Sequence, residues 1–158
     1  MTRWIWQGGG TLNIKGASGI ELLRAIKEGR IPYPSIAVTV PMRFTELENG
    51  SIKCVIKADN RHINPLGGVH GGFAATVLDS ITGCAIHTML EAGVGYSTVD
   101  INIQMMRPIP LDAELQAEGR VLNISKNLGV ADGIIKDAGG KLYAHATCTC
   151  LILRGTSA

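Results

Sequence analysis

The chain has 158 residues, of which 46% are apolar, 18% are charged and 4% are aromatic, and its formal net charge is +2. These values are typical of one soluble globular domain, which at this length buries about 70% of the surface that the unfolded chain exposes. They exclude a disulfide scaffold and a disordered tail. A small charge and few aromatic side chains do not favour nucleic-acid binding, so we expect small molecules or further copies of the chain as partners.

The four cysteines form no C-x-x-C pair: Cys54, Cys84, Cys148 and Cys150. The spacing of the last two fits zinc-finger pairs poorly, so we interpret them as small core residues and expect no metal. The start of the sequence lacks the apolar run of a signal peptide. These features favour a reducing, cytoplasmic location.

The first half of the chain predicts one helix and two strands. A capping box at residues 18–21, followed by apolar residues at helical spacing, predicts a helix that ends at Gly29. Alternation over residues 36–44 predicts a first strand, and Pro41 within it indicates a sheet edge. A hairpin turn then leads to a second strand over residues 52–56.

The second half predicts a long helix and then a run of strands. Alternation predicts strands over residues 98–105 and 113–121, and a weaker pattern predicts one over residues 128–136. A turn at residues 137–140 leads to a last apolar stripe over residues 142–152, whose small side chains can accommodate a closely packed helix. In the strand at residues 98–105, four apolar residues alternate with four polar ones: Val99, Ile101, Ile103 and Met105 with Thr98, Asp100, Asn102 and Gln104. The order predicts an α+β fold in which one antiparallel sheet wraps around the long helix.

Asp79 is the only carboxylate between His62 and Leu90, and that segment contains no Lys or Arg. Asp79 at its middle and several polar residues favour a core helix over a membrane-spanning one. An ionised carboxylate is costly to bury, and such burial is how catalytic carboxylates are tuned. Asp79 is therefore a candidate general base or nucleophile. The alternative is a structural aspartate that bonds a hydroxyl or faces a subunit boundary.

The nine residues before and at the start of this helix, 64–72, read N-P-L-G-G-V-H-G-G. A helix start offers free N–H donors and the positive end of the helix dipole, and Gly71 and Gly72 let a ligand oxygen approach the backbone. This pattern indicates an oxyanion hole. A phosphate-binding loop is the competing interpretation, but its usual glycine spacings are not matched. A flexible turn without a ligand is the third interpretation of this segment.

Gly71 and Asp79 are eight residues apart, which is about 12 Å along one helix. The two residues cannot comfortably act on one carbonyl within a single chain. If both take part, they come from different subunits whose long helices run antiparallel across a twofold axis. The spacing therefore predicts that catalysis needs a dimer.

The run from Asn64 to Asp79, with H-G-G at residues 70–72, resembles the hotdog-fold acyl-CoA thioesterases of the phenylacetate-pathway (PaaI-like) branch. The resemblance covers residues 18–153 and includes three further stretches: T-V-D-I-N at residues 98–102, R-P at 107–108 and G-K-L-Y-A-H-A at 140–146. It implies a hotdog fold with an extra N-terminal helix. It also implies one domain over residues 1–158, in which residues 1–15 have no counterpart, and a homodimer that usually pairs into a homotetramer.

The resemblance implies hydrolysis of an acyl-CoA thioester, with no cofactor because CoA is part of the substrate. On the matching positions, the Gly71 amide polarises the thioester carbonyl. Asp79 of the partner subunit activates water or attacks the carbonyl directly. The acyl group is not readable from the sequence.

The resemblance also implies supporting roles at five more positions. Asn64 helps to hold the water or the carbonyl, and His70 orients the loop by hydrogen bonding. Thr98 assists the water, where the branch often has a Ser or Thr. Gly72 lies against the substrate, and Lys126 meets the CoA phosphates unless it is only a solvated hairpin lysine.

Two other functions remain open at this point. A hotdog dehydratase acting on 3-hydroxyacyl thioesters uses a His and an acidic residue, but its motif arrangement differs. A non-catalytic acyl-CoA binding module would need no carboxylate at position 79. We interpret His62, His87 and His145 as structural or surface residues.

Overall fold

The computed structural model describes residues 16–154 of the chain. The N-terminal segment without a counterpart, residues 1–15, lies outside this range. No helix within the described range is long and apolar enough to cross a membrane.

Apart from the short helix α2, the helices and strands follow the predicted order over the described residues. The helices are α1 (Gly19–Lys27), α2 (Ile36–Thr39) and α3 (Gly71–His87). The strands are β1 (Met42–Glu48), β2 (Ser51–Lys57), β3 (Val94–Met105), β4 (Glu114–Ile124), β5 (Leu128–Lys136) and β6 (Leu142–Arg154). A 3₁₀ turn at Asn60–His62 leads from β2 towards α3. The α+β class and the strand predicted from the weaker pattern at residues 128–136 are confirmed.

The six strands form one antiparallel sheet in the order β1-β2-β4-β5-β6-β3. β1 lies at one edge, as Pro41 indicated. β3 lies at the other edge and pairs with β6 alone among the described strands. Its free side therefore presents a row of backbone N–H and C=O groups that have no partner strand.

The predicted start of the first strand is wrong. Residues 36–39 form the short helix α2 instead, with Ile36 and Val38 45% and 64% exposed. The turn at Pro34 and Ser35 starts the helix, since their carbonyls accept the first amide hydrogen bonds. Pro41 has no N–H to donate, so the ladder with β2 begins at Met42. An alternating apolar pattern alone does not show where a proline delays a strand.

α3 lies against one face of the sheet and packs on β2 to β6. Its sheet-facing side chains have no exposed surface: Val77, Leu78, Ile81, Ala85 and Ile86. Small residues opposite them let the helix approach, as predicted for β6, where Ala146 and Cys148 are fully buried. The sheet thus wraps around α3 in the hotdog arrangement.

Glycines on β4 and β5 permit the closest contacts with α3. A Cβ at Gly119 would lie 2.5 Å from the Ile81 carbonyl oxygen, and one at Gly133 would lie 2.7 Å from Cγ2 of Thr82. Real Cβ atoms do not approach backbone oxygen so closely, so Gly119 sets the depth at which the helix sits.

Candidate active site

The loop before α3 is held by its own side chains. Asn64 Oδ1 accepts hydrogen bonds from the amides of Leu66 and Gly68, at 2.9 and 3.2 Å. Gly67 occupies the left-handed region, with φ at 85°, which a glycine adopts without strain. The Asn64 side chain therefore closes the turn that leads to the helix start.

His70 caps the N-terminus of α3. Its Nδ1 accepts a hydrogen bond of 2.8 Å from the Gly72 amide, so that amide is already bonded. The neighbouring Gly71 N–H has no hydrogen-bond partner among residues 16–154. The helix start thus keeps one free amide at Gly71, supported by the positive end of the helix dipole.

A cavity of about 490 Å³ opens beside the free Gly71 amide. It is lined by the loop before α3, by Met105 at the end of β3 and by the segment that follows, including Met106, Arg107 and Pro108. The Arg107 guanidinium donates to the Leu142 carbonyl at 2.5 Å. We call this space the Gly71 cavity.

Asp79 lies in the middle of α3, on an exposed side of the helix beside the edge strand β3. Its neighbours Leu78 and Ile81 point into the core, whereas Asp79 itself is exposed. The expectation of a carboxylate buried within the single chain is therefore wrong. The apolar sequence around Asp79 reflects the sheet-facing side of the helix, which alternates with an outward side every few residues.

Thr98 meets Asp79 because β3 contains a bulge. The Thr98 hydroxyl donates to Asp79 Oδ1 at 2.8 Å. The register with β6 shifts between Thr98 and Asp100, which leaves Val99 as the extra residue, 59% exposed. In a regular strand, Thr98 and the core-facing Ile101 would lie on opposite faces of the sheet, as the sequence suggested. The bulge instead turns Thr98 towards α3.

A second cavity, of about 210 Å³, lies beside Asp79 and Thr98. Three aromatic rings line it, those of Tyr33, Phe44 and Tyr96, together with Cys84 and part of α2. Tyr33 is fixed there because its hydroxyl accepts from the Phe44 amide at 2.9 Å. Burial raises the pKa of the Cys84 thiol to about 11, so this wall is uncharged at neutral pH. We call this space the Asp79 cavity.

The two cavities have no lining residue in common. Gly71 stands in one and Asp79 in the other, although both belong to α3. The arrangement agrees with the separation expected from their spacing along the helix. Sequence reasoning missed the aromatic wall, because Tyr33, Phe44 and Tyr96 are far apart in the chain and share no motif.

Comparisons with known proteins show which family the chain belongs to. The Thioesterase superfamily model matches residues 66–144. Human acyl-coenzyme A thioesterase 13 is 33% identical over 101 residues, which are 63% of this chain and 71% of the relative. The chain belongs to the thioesterase superfamily. It is accordingly a thioester hydrolase by family, and the resemblance described from the sequence is confirmed.

Two solved structures show the same hotdog architecture. The phenylacetic acid degradation-related protein of Ralstonia eutropha JMP134 is 28% identical, with a TM-score of 0.74 over 81% of this chain and 97% of that one. A thioesterase protein of Streptococcus pneumoniae TIGR4, crystallised with coenzyme A, is 23% identical, with a TM-score of 0.66 over 73% of this chain and 88% of that one. The second likeness concerns the fold alone.

Lys126 lies far from the Gly71 cavity within this thioesterase chain. It is exposed in the turn between β4 and β5, where its carbonyl accepts from Arg154. The same hairpin packs near the C-terminal end of α3, since a Cβ at Gly129 would lie 2.9 Å from Ile86. A single chain therefore does not bring Lys126 and the helix start together.

The remaining histidines have partners within the fold. His62 Nε2 lies 2.7 Å from the Thr39 carbonyl oxygen, and the His87 ring lies 5.4 Å from that of Tyr96. His145 bonds Gln104 and Asp132 on the face of the sheet away from α3. None of them lines the Gly71 or the Asp79 cavity.

Proposed function

We propose that the protein hydrolyses an acyl-CoA thioester to a free acid and CoA at a site shared by two subunits. The observation that carries this proposal is the division of α3: a free amide at Gly71 in one cavity, and an exposed carboxylate at Asp79 in another. The relatives support the choice of substrate, since human thioesterase 13 is named as an acyl-coenzyme A thioesterase.

The free edge of β3 supports a homodimer. Its unpaired side carries the exposed Val99, and Thr98 and Asp79 lie directly behind it. Antiparallel pairing of β3 with the same strand of a second copy would satisfy that edge and bury Val99. It would also bring the middle of one α3 towards the N-terminus of the other. The Gly71 cavity of one subunit then faces the Asp79 cavity of its partner.

The chemistry follows from these two groups. The thioester carbonyl oxygen accepts from the Gly71 amide, and the helix dipole stabilises the negative charge that develops on it. As a general base, Asp79 takes a proton from water while the water oxygen bonds to the carbonyl carbon. The C–S bond of the tetrahedral intermediate then breaks, and the CoA sulfur leaves and is protonated. As a nucleophile, Asp79 would instead form an acyl-carboxylate anhydride that water hydrolyses.

Two further contacts fit the same arrangement. Thr98 donates to Asp79 Oδ1, which leaves the second carboxylate oxygen for the water or the carbonyl carbon. Lys126 lies at the end of the sheet beside the C-terminal part of α3. With antiparallel helices, Lys126 of the partner would approach the Gly71 cavity, where its charge and that of Arg107 can meet CoA phosphates.

The test is release of free thiol from a panel of acyl-CoAs, from acetyl through medium-chain to phenylacetyl. We expect the wild type to release thiol from at least one of them and Asp79→Asn to release none above background. Glu91→Gln, which changes an exposed carboxylate just beyond α3, is the matched control and should keep full activity. CoA binding without turnover by the wild type would instead identify a binding module.

A further inference from the structure

The Asp79 cavity extends from one edge of the sheet to the other. Phe44 of β1 lines one side of it, and Tyr96 and Thr98 of β3 line the other. These strands are the two edges of the sheet, and the sheet curls around α3, so both edges border one cavity beside that helix. Asp79 accepts from Thr98 and therefore lies at the β3 side. A group that starts at the carboxylate and enters the cavity thus runs towards β1.

Tyr33 and α2 form the wall on the β1 side. The Tyr33 ring lies 5.4 Å from that of Phe44, and its hydroxyl accepts from the Phe44 amide. α2 is held from outside the cavity, because the Arg61 guanidinium donates to the Val38 carbonyl at 3.0 Å. These contacts fix the position of the wall. It precedes residue 66, where the match to the family model begins.

The lining of the Asp79 cavity suits an apolar and uncharged group. Three aromatic rings contribute to it, and no Lys, Arg or His among residues 16–154 does. A carboxylate bound there would lie beside Asp79 without a cation, which is costly. The Gly71 cavity is larger and is lined by Arg107, so it suits the polar and charged CoA part of a thioester.

We propose that the Asp79 cavity binds the acyl group of the thioester and that Tyr33 and α2 limit the length of that group. This inference rests on the proposed function, which places the carbonyl carbon next to Asp79. A volume of about 210 Å³ holds about seven groups of roughly 30 Å³, the share of one water molecule in the liquid and close to the size of a methylene. The substrates are therefore neutral acyl groups of up to about eight carbons, the length of octanoyl.

Opposite changes to the wall should move this limit in opposite directions. The measurement is kcat/KM for thiol release from straight-chain acyl-CoAs, from butyryl to palmitoyl. We expect the wild-type value to fall about tenfold or more from octanoyl to decanoyl, as for a chain that exceeds its pocket. Tyr33→Ala removes the ring, so decanoyl should become as good a substrate as octanoyl. Ala37→Leu enlarges a lining side chain of α2 and should move the fall to between hexanoyl and octanoyl.

Two matched controls separate the wall from the general effect of a substitution. Val38→Phe adds a ring to the exposed neighbour of Ala37, which does not line the cavity, and should leave the limit at octanoyl. Tyr33→Phe keeps the ring and should keep the same limit, whatever the loss of the hydroxyl does to the rate. Should Tyr33→Ala unfold the chain, Tyr33→Val supplies the smaller side chain.

Charge gives an independent test of the same cavity. Succinyl-CoA has an acyl chain as long as that of butyryl-CoA but ends in a carboxylate. We expect its kcat/KM to be at least about a hundredfold lower, because the lining offers this charge no cation. Equal turnover of the two esters would overturn the proposal.

Binding supplies a readout without turnover. S-alkyl-CoA thioethers of the same lengths cannot be hydrolysed, and their Kd, measured by calorimetry, should show the same limit and the same two shifts. If the wild type releases no thiol but the thioethers show this pattern, the proposed hydrolysis fails and the role of the cavity is supported. If thiol is released but the limit is unchanged in Tyr33→Ala and Ala37→Leu, the role of the cavity is wrong. A limit that moves only in Met106→Ala would place the acyl group in the Gly71 cavity instead.

Discussion

The two halves of the candidate site, the start of α3 and its middle, differ in the sequence separation of the residues that build them. At the helix start, every hydrogen bond of the Asn64 and His70 side chains spans two or four residues. At the middle of α3, Asp79 accepts from Thr98, nineteen residues away, and Thr98 Oγ1 lies 3.7 Å from Cys150 Sγ, fifty-two residues away. The first half is a local motif, whereas the second exists only once the sheet has formed around the helix.

The largest effect is expected from removing the free Gly71 N–H at the helix start. Gly71 is the first residue of α3, and His70 before it has φ and ψ of −65° and 136°, which suit a residue that precedes proline. Gly71→Pro should therefore fold and yet lack the free N–H. We expect kcat to fall by about 10²- to 10³-fold, as for a lost oxyanion donor. Gly71→Ala keeps the N–H and serves as the control for the added Cβ, which meets the flexible Met105 side chain.

Mixing Gly71→Pro with Asp79→Asn tests whether the Gly71 amide and the Asp79 carboxylate of one site come from different subunits. Random exchange of equal amounts makes about half of the dimers mixed, and each mixed dimer has one intact site out of two. The mixture should regain about a quarter of the wild-type thiol release, although each variant alone has almost none. No recovery after verified subunit exchange would place both groups in one chain's own site.

We expect the half of the site around Asp79 to be sensitive to how closely α3 packs on the sheet. Gly119→Ala would place a Cβ 2.5 Å from the Ile81 carbonyl oxygen and push the helix that carries Asp79 outward. We expect a loss of about 1–3 kcal/mol in the free energy of unfolding, as for overpacked cores, measured by urea denaturation. Gly139→Ala, in the turn between β5 and β6, has only a side-chain oxygen nearby and should cost much less.

A smaller effect is expected from the helix cap. His70→Ala removes the acceptor of the Gly72 amide, so the free energy of unfolding should fall by about 1 kcal/mol. His70→Asn restores a capping oxygen and should recover most of that loss. Equal stability of the alanine variant and the wild type would show that the Nδ1 contact contributes nothing to the helix start.

The same division explains how much could be predicted from the sequence. The H-G-G motif, the free amide and the separation from Asp79 follow from local spacing along one helix. The exposure of Asp79 and the inward turn of Thr98 did not follow. The first depends on how α3 is rotated against the sheet, and the second on one extra residue, Val99, in the pairing with β6. The alternation of apolar and polar residues in a single strand predicts neither the rotation of the packed helix nor the register of strand pairing.

The smallest expected effect concerns the C-terminal end of α3. Burial lowers the pKa of His87, whose ring packs against Tyr96, so the folded chain keeps this imidazole neutral. The unfolded chain binds the proton more readily, and the free energy of unfolding should therefore rise with pH. This contribution is fully present above the unfolded pKa of about 6.5 and is lost as the pH falls through the lower folded value. Urea denaturation at pH 7.5 and at pH 5 should show a smaller difference for His87→Phe than for the wild type. An equal difference would mean that His87 titrates alike in both states, and that this end of α3 is more open to water than its packing indicates.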